Sequence, residues 1–440
     1  MIERDATPPG AWVVHPRQGE TADTASYKLE EAMGLSEALE MDTRGGEVAP
    51  VREIRANTFF GGGKIEEIAD RVRSDGLDVV VVNGQLTPIQ QRNLERAWKA
   101  KVVDRTGLIL EIFALRAATK EGRLQVELAR QAYERSRLVR TWTHLERQRG
   151  GQGFLAGPGE SQIESDRRML DERIIRLRSQ LEKVRRTRSL QRQKRERAPE
   201  RVVALVGYTN AGKSTLFNAL TEAEVMAKDM LFATLDTTLR ILPLPNGKPA
   251  ILSDTVGFIS DLPTDLIAAF QATLEEVKLA DLLVHVRDIA DPLSDERREH
   301  VMDILDQIDA GPAHGQSTIE VWNKSDLLDP AERENLREIA DSQAALGPDA
   351  IACYLVSAET GEGLDDLRLA IETRLSADDR TLMLELGPRD AAARAWLFEH
   401  GDVLQEAGRD NGNTEMTVRL TEVDAGKFRQ RYPAVTDLPA

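Results

Sequence analysis

Apolar and polar positions along this chain change their period three times, and each change marks a unit. Over residues 1–105, short apolar runs alternate with stretches of helical spacing. Trp12-Val13-Val14-His15, Val48 to Ile54, Asp78-Val79-Val80-Val81-Val82-Asn83 and Lys101-Val102-Val103-Asp104 read as strands. Between them the spacing predicts helices over Ser26–Met41, Lys64–Ser74 and Thr87–Trp98, the last with Pro88 at its first helical position. Alternation of this kind predicts an α/β domain with a parallel sheet.

From residue 106 to 199 the pattern is helical and highly charged. Leu108–Arg149 predicts one long helix, with Leu124 and Leu128 on one face. The glycines of Gly150-Gly151-Gln152-Gly153 and Gly157-Pro158-Gly159 break it, and Ser161 or Ser165 starts a second helix. There Leu170, Ile174, Leu177, Leu181 and Val184 fall at alternating intervals of four and three, a narrow coiled-coil seam. The expectation is an antiparallel helical hairpin, closed by Ala198-Pro199.

Strand and helix alternate again over 200–376, through Val202–Val206, Ile251–Ser253, Leu282–Val286, Thr318–Trp322 and Ile351–Val356. Residues 377–440 predict a small α/β domain, with strands at Arg380–Leu386 and Glu415–Leu420, a helix at Asp390–His400 and a turn at Arg409–Asn413. The fold class is therefore multidomain α/β.

Composition changes this picture in one respect. With 41% apolar and 30% charged residues and no apolar run near the length of a membrane span, the chain reads as soluble. The beginning of the sequence shows no secretory pattern, so a cytoplasmic protein with at most loose membrane association is expected. Cys353 is the only cysteine, which excludes an internal disulfide and a cysteine-rich zinc site. It lies in an apolar strand and reads as a buried thiol. The net charge of −16 argues against nucleic acid, but Arg167 to Arg197 carries thirteen Lys and Arg against four acids. That stretch is +9, which leaves the remainder near −25. A basic rod on an acidic body suits either a solvated helix face or a polyanionic partner such as RNA.

The candidate chemistry lies at strand ends in 200–376. Gly207-Tyr208-Thr209-Asn210-Ala211-Gly212-Lys213-Ser214, with Thr215 following, joins a buried strand to a helix. Backbone N–H groups of such a turn and the helix N-terminus cradle phosphates, Lys213 reaches the β- and γ-phosphates, and Ser214 can ligate Mg²⁺. Asp254-Thr255-Val256-Gly257 ends the next strand. Asp254 is placed for the Mg²⁺ shell and Gly257 for a backbone bond to the γ-phosphate. Asn323-Lys324-Ser325-Asp326 selects the base, since an ionised Asp326 accepts from guanine N1–H and its amino group, a pair adenine lacks. Asn323 can tie this loop to the phosphate loop, the Lys324 stem can cover the ring, and a backbone N–H at Ser357-Ala358 can meet guanine O6. The nucleotide is expected to be GTP. Gly61-Gly62-Gly63 before Lys64 lacks the strand and the ending of a second such site and reads as a loop.

These motifs, in this order, are those of translation-factor-type GTPases. Phe232-Ala233-Thr234-Leu235-Asp236-Thr237-Thr238, Asp254 to Ile259, and Gly157-Pro158-Gly159-Glu160-Ser161-Gln162 with Asp166-Arg167-Arg168 resemble the HflX family. So do Val103-Asp104-Arg105-Thr106 and Leu124-Gln125-Val126-Glu127-Leu128, and the resemblance covers roughly 50–375. It implies a GTPase that binds the large (50S) ribosomal subunit through ribosomal RNA or protein, with members that split stalled or idle ribosomes under stress. A GTPase acting on another RNA, in ribosome assembly or RNA modification, is the alternative. The resemblance makes Phe232 to Asp236 switch I, with Thr234 closing on Mg²⁺ and γ-phosphate and Thr237 and Thr238 as competitors. Lys213, Thr234 and Gly257 form the expected catalytic set. Phe258 stands where many GTPases carry a glutamine that orients water. Its side chain has no hydrogen-bonding atom, so slow intrinsic hydrolysis is expected, with a partner or another backbone group orienting the water and ribosomal RNA or protein as the natural supplier. Asn210 resembles an asparagine that some related GTPases use to bind K⁺, which makes K⁺ a candidate activator. A monomer is the default.

Overall fold

The computed structural model describes all residues except 1–7, 149–157, 196–200, 222–231, 233–237, 261–270, 345–350, 378, 410–411 and 438–440. The chain begins with β1 (Gly10–Arg17), α1 (Ala22–Ala38), β2 (Asp42–Pro50), α2 (Gly62–Asp75), β3 (Val79–Val82), α3 (Pro88–Trp98), β4 (Lys101–Asp104) and α4 (Arg105–Arg116). The four strands form a parallel sheet in the order β2-β1-β3-β4. Successive strand residues point to opposite faces, and both faces are covered. Val13 and Val81 meet α1 and α4 through Ala32, Leu35, Leu108 and Ile112. Val14 and Val82 meet α2 and α3 through Ile68, Val72, Leu94 and Trp98. Thr87 and Gln90 cap α3 reciprocally, as the Thr-Pro start suggested. Gly62 and Gly63 form the first turn of α2, so most of the glycine run is helical rather than loop.

The long helix expected from Leu108 is two helices. Ala117 turns extended at ψ 100° and the Thr119 hydroxyl accepts from Gly122 N–H at 2.9 Å, starting α5 (Lys120–Gln148) afresh. Helix α4 thereby packs on the first sheet, and this unit runs past residue 105. Helix α6 (Pro158–Arg195) returns along α5. Ile174, Leu177 and Leu181 are buried, with Leu170 and Val184 half-buried at the ends of the seam. Arg173 pairs with Glu127 at 2.7 Å and Arg135 with Asp171 at 2.9 Å across the pair.

The third unit contains β5 (Val202–Gly207), α7 (Lys213–Thr221), β6 (Thr238–Pro243), β7 (Pro249–Asp254), α8 (Gln271–Lys278), β8 (Leu282–Asp288), α9 (Ser294–Gln307), β9 (Thr318–Asn323), α10 (Pro330–Ala344), β10 (Cys353–Leu355) and α11 (Leu364–Leu375). Its sheet runs β10-β9-β8-β5-β7-β6, parallel except for the antiparallel edge strand β6. The last unit is β11 (Arg380–Leu386), α12 (Ala391–His400), β12 (Asp402–Gly408), β13 (Thr414–Leu420), α13 (Glu422–Arg431) and β14 (Thr436–Asp437). The order β12-β13-β11-β14 makes it a ferredoxin-like βαββαβ fold.

One buried cluster crosses between the first and third units without a break. It runs from Ile109, Ile112 and Phe113 of α4 to Val206, Tyr208, Phe232, Val256 and Phe258. Each of its four aromatic rings (Phe113, Tyr208, Phe232 and Phe258) contributes about 1.5–3 kcal/mol of burial across this contact.

Candidate functional site

The phosphate loop is set by its flanking strands. β5 and β7 pair in parallel with Leu205 opposite Asp254, which brings the end of β7 beside residues 207–214. Thr255 locks that register by donating its hydroxyl to Leu205 O at 2.6 Å. The loop contains Asn210 in the left-handed region at φ 61° and Gly212 at φ 88°. A Cβ at Gly212 would collide with the Asn323 amide, so only glycine fits there. Lys213 is buried, and its ammonium donates to Gly207 O at 3.1 Å and Tyr208 O at 2.8 Å. Burial lowers its pKa to about 8, against the opposing pull of the Asp254 carboxylate. Ser214 Oγ donates to Asp254 Oδ2 at 2.8 Å. Thr215 is half-buried in the first turn of α7. Gly257 lies so close to Lys213 Nζ and Thr209 that a Cβ would stand 3.0 and 2.9 Å from them. These contacts bring residues 207–214, Asp254 and Gly257 together at one end of the sheet.

The base loop reaches the same place from the other side. Asn323 Nδ2 donates to Ala211 O at 2.9 Å, and its Oδ1 accepts from Ala358 N–H at 3.0 Å. One side chain thus joins the phosphate loop, the end of β9 and the loop after β10. Ser325 N–H donates to Val356 O at 3.2 Å. Asp326 is exposed at the cleft, and its Oδ1 accepts from Ser357 Oγ at 2.6 Å. The sequence suggested only a backbone donor at 357–358. The hydroxyl is an added contact, and of the two backbone N–H groups considered for guanine O6, that of Ser357 donates to Glu362 O at 3.0 Å and that of Ala358 to Asn323 Oδ1 at 3.0 Å.

Switch I falls largely outside the described residues. Ala233, Thr234, Leu235, Asp236 and Thr237 are among those not described, and Thr238 opens β6. Phe232 is described. Its ring is buried edge-on against Phe113 of α4, with centroids 4.7 Å apart, so it serves the core between units rather than the nucleotide cleft.

Phe258 is also buried, and its backbone continues the sheet into the phosphate loop. Its N–H donates to Gly207 O at 3.1 Å and its carbonyl accepts from Thr209 N–H at 2.7 Å. Two residues on, Ser260 meets the first unit. The Tyr208 hydroxyl donates to Glu31 Oε1 at 3.2 Å, exchanges a hydrogen bond with Ser260 Oγ at 2.9 Å and accepts from Ser260 N–H at 2.9 Å. Arg105, at the start of α4, donates to Glu31 at 3.0 Å, to Ser260 O at 3.2 Å and to Asn83 at 2.7 Å. Burial first and the Glu31 charge second raise the Tyr208 hydroxyl to about 12, so it is a proton donor at all working pH values. The Arg297 guanidinium stacks on the outer face of the Tyr208 ring, 4.7 Å from its centroid. None of Glu31, Arg105, Ser260 or Arg297 was identifiable as part of the site from the sequence, although Arg105 lies in one of the family-like stretches.

Models of known families cover the chain in four consecutive blocks. GTP-binding GTPase N-terminal matches 26–114, GTP-binding GTPase Middle Region 116–195, 50S ribosome-binding GTPase 202–324 and HflX C-terminal domain 343–437. GTPase HflX of Magnetococcus marinus is 51% identical over 368 residues, 83% of this chain and 82% of that one. The chain belongs to the HflX family of GTPases. GTPase HflX of Escherichia coli is 46% identical over 379 residues, 86% of either chain. Among solved structures, the GDP complex of SsGBP superimposes with a TM-score of 0.50 at 25% identity, over 84% of this chain and 99% of that one. HflX proteins are ribosome-binding GTPases, and hydrolysis of GTP is the activity this HflX-family chain carries. Among the described residues no helix is long and apolar enough to cross a membrane.

Proposed function

We propose that the protein is a GTP-driven switch that binds the large (50S) ribosomal subunit and splits or rescues stalled or idle ribosomes under stress. The observation that carries this reading is the network joining Tyr208 and Ser260 to Glu31 and Arg105. It ties the phosphate loop and the segment after Gly257 to the unit that bears the helical hairpin. A change at the γ-phosphate therefore displaces groups that contact the ribosome-directed body. The basic second helix supplies the surface for ribosomal RNA.

The roles follow from the geometry. Backbone N–H groups at the end of the loop and the start of α7 cradle the phosphates, and Lys213 leaves its carbonyl partners for the β- and γ-oxygens. Gly257 N–H senses the γ-phosphate. Asp326, held by Ser357, reads the guanine edge, and Asn323 keeps the base and phosphate loops in register. Ser214 and Asp254 are hard oxygen donors side by side at the strand ends, a set that fits Mg²⁺, with Thr234 completing it from switch I. Among the described residues no group of three or more His, Cys, Asp or Glu side chains could hold a metal ion. The ion neutralises phosphate charge when bound. Asn210 is the candidate residue for K⁺. Phe258 carries nothing that can orient water, so the ribosome supplies that function and the intrinsic rate is low.

GTP turnover measured alone, with 50S subunits, with 70S ribosomes and with K⁺ in place of Na⁺ tests this reading. A low basal rate that rises at least tenfold with 50S is expected, since water-positioning groups contribute on this scale or more. A high basal rate unchanged by ribosomes refutes it, as does failure to co-sediment with 50S when a non-hydrolysable GTP analogue is bound.

A further inference from the structure

Lys324 is the second residue of the base loop, and its amine is not free to move. It occupies the left-handed region, φ 65° and ψ 34°, just before the short turn Ser325–Leu327 that carries Asp326. Its Nζ lies 2.6 Å from Asp288 Oδ2. Asp288 is the last residue of β8 and stands opposite Asn323 in the β8–β9 register. The same carboxylate accepts from Ala290 N–H at 3.2 Å through Oδ1, and Ile289 N–H donates to Asn323 O at 3.1 Å. Asp288 is thus built into the sheet end while holding a flexible side chain that belongs to the nucleotide cleft.

The pair is partly open to solvent, at 24% and 17% side-chain exposure. Ion pairs of that kind contribute little to stability. Its value lies elsewhere. A lysine stem ordered only on binding loses rotamer entropy at that moment, and a stem fixed beforehand does not. With its backbone held at the start of the Ser325–Leu327 turn and its ammonium held by Asp288, the four-carbon stem is fixed at both ends.

The geometry points to Asp288 as a positioning residue for nucleotide affinity: it anchors the Lys324 ammonium so that the stem forms a preorganised face for the purine base. This rests on the reading of the 323–326 loop as the guanine site. It adds a division of labour. Asp326 senses the base edge and so sets which purine binds. Asp288, through Lys324, supports the ring face and so sets how tightly any such purine binds.

Binding of GDP and of xanthosine diphosphate to the full chain separates the two roles. Asp288→Asn should raise both dissociation constants about tenfold, as expected for loss of a preorganised contact. It should leave their ratio and the melting temperature unchanged. Asp288→Glu should recover part of the loss, and in a Lys324→Ala background Asp288→Asn should have no further effect. The proposal is overturned if Asp288→Asn binds GDP within twofold of the parent, or if the tenfold loss persists without Lys324. Should Asp288→Asn not fold, Asp288→Ser is read by the same criteria. Asp326→Asn tests the underlying reading separately: it should exchange the preference for GDP for one for the xanthine nucleotide. If it still prefers GDP, the base-site reading itself fails.

Discussion

The hydroxyl of Tyr208, in the phosphate loop, lies 3.2 Å from the carboxylate of Glu31, 177 positions earlier in a different unit of the chain. Glu31 is only 7% exposed and its charge is balanced by Arg105, equally buried. Removing one partner leaves the other charged and dry, which typically costs about 3–5 kcal/mol. Arg105→Met should lose that amount in urea unfolding, and Glu31→Leu combined with Arg105→Met should recover at least half of it. Equal losses for the single and double variants would show that the pair is not the source.

Restoring a glutamine at position 258 should not restore catalysis. Phe258 is buried in the core shared by both units and its ring does not face the cleft. Phe258→Gln should destabilise the protein by about 2–4 kcal/mol through lost apolar burial and a buried amide. Its intrinsic GTP turnover should not exceed the parent's. A stable variant with faster basal hydrolysis would contradict the placement of this side chain.

Binding should depend on pH through Lys213. Burial depresses its pKa to about 8, and a polyphosphate favours the ammonium. Affinity for GDP should therefore weaken as pH rises through 8 and beyond. Calorimetry near pH 8.5, in two buffers of different protonation enthalpy, should show net proton uptake on binding. In the absence of nucleotide the unfolded chain holds this proton more firmly, so the contribution of Lys213 to fold stability rises with pH between 8 and its ordinary value of 10.5. Zero proton uptake would remove Lys213 as the responsible group.

Ribosome association should be strongly salt-dependent. Arg185, Arg186 and Arg188 lie beyond the apolar seam, which ends at Val184. If all three meet phosphates, replacing them with alanine should lower the slope of log affinity against log salt by about two to three, at 0.7–0.9 per contact. An unchanged slope would place the RNA contact elsewhere.

What the sequence revealed followed from how local the physics was. Gly207 to Ser214 and Asn323 to Asp326 have backbone geometries that their own residues dictate, and both lie where the pattern put them. The βαββαβ order of the last unit was only partly visible. β12 is a largely exposed edge strand and α13 a short polar helix, so neither shows strong periodicity. The break between α4 and α5 was missed because Ala117-Ala118-Thr119 contains no glycine or proline. Its one signal is Thr119, a capping residue. Glu31, Arg105 and Ser260 could not be grouped at all, since the contacts of Arg105 with Glu31 and Ser260 and of Tyr208 with Glu31 join residues 74 to 177 positions apart. Ser357 was found for its backbone and missed for its hydroxyl, because a serine after a strand is common and only the tertiary fold sets it beside Asp326.

The seclusion of Cys353 has a practical consequence. It is 4% exposed, and burial with the nearby Glu320 charge raises its thiol to about 12. Thiolate, the species that reacts with maleimides, is therefore scarce at neutral pH. As the sole native sulfhydryl it need not be removed before fluorophores are attached. A cysteine introduced on the hairpin and another on α1 would take up dyes selectively, so movement between these two parts during GTP turnover becomes measurable by energy transfer in the otherwise unaltered protein.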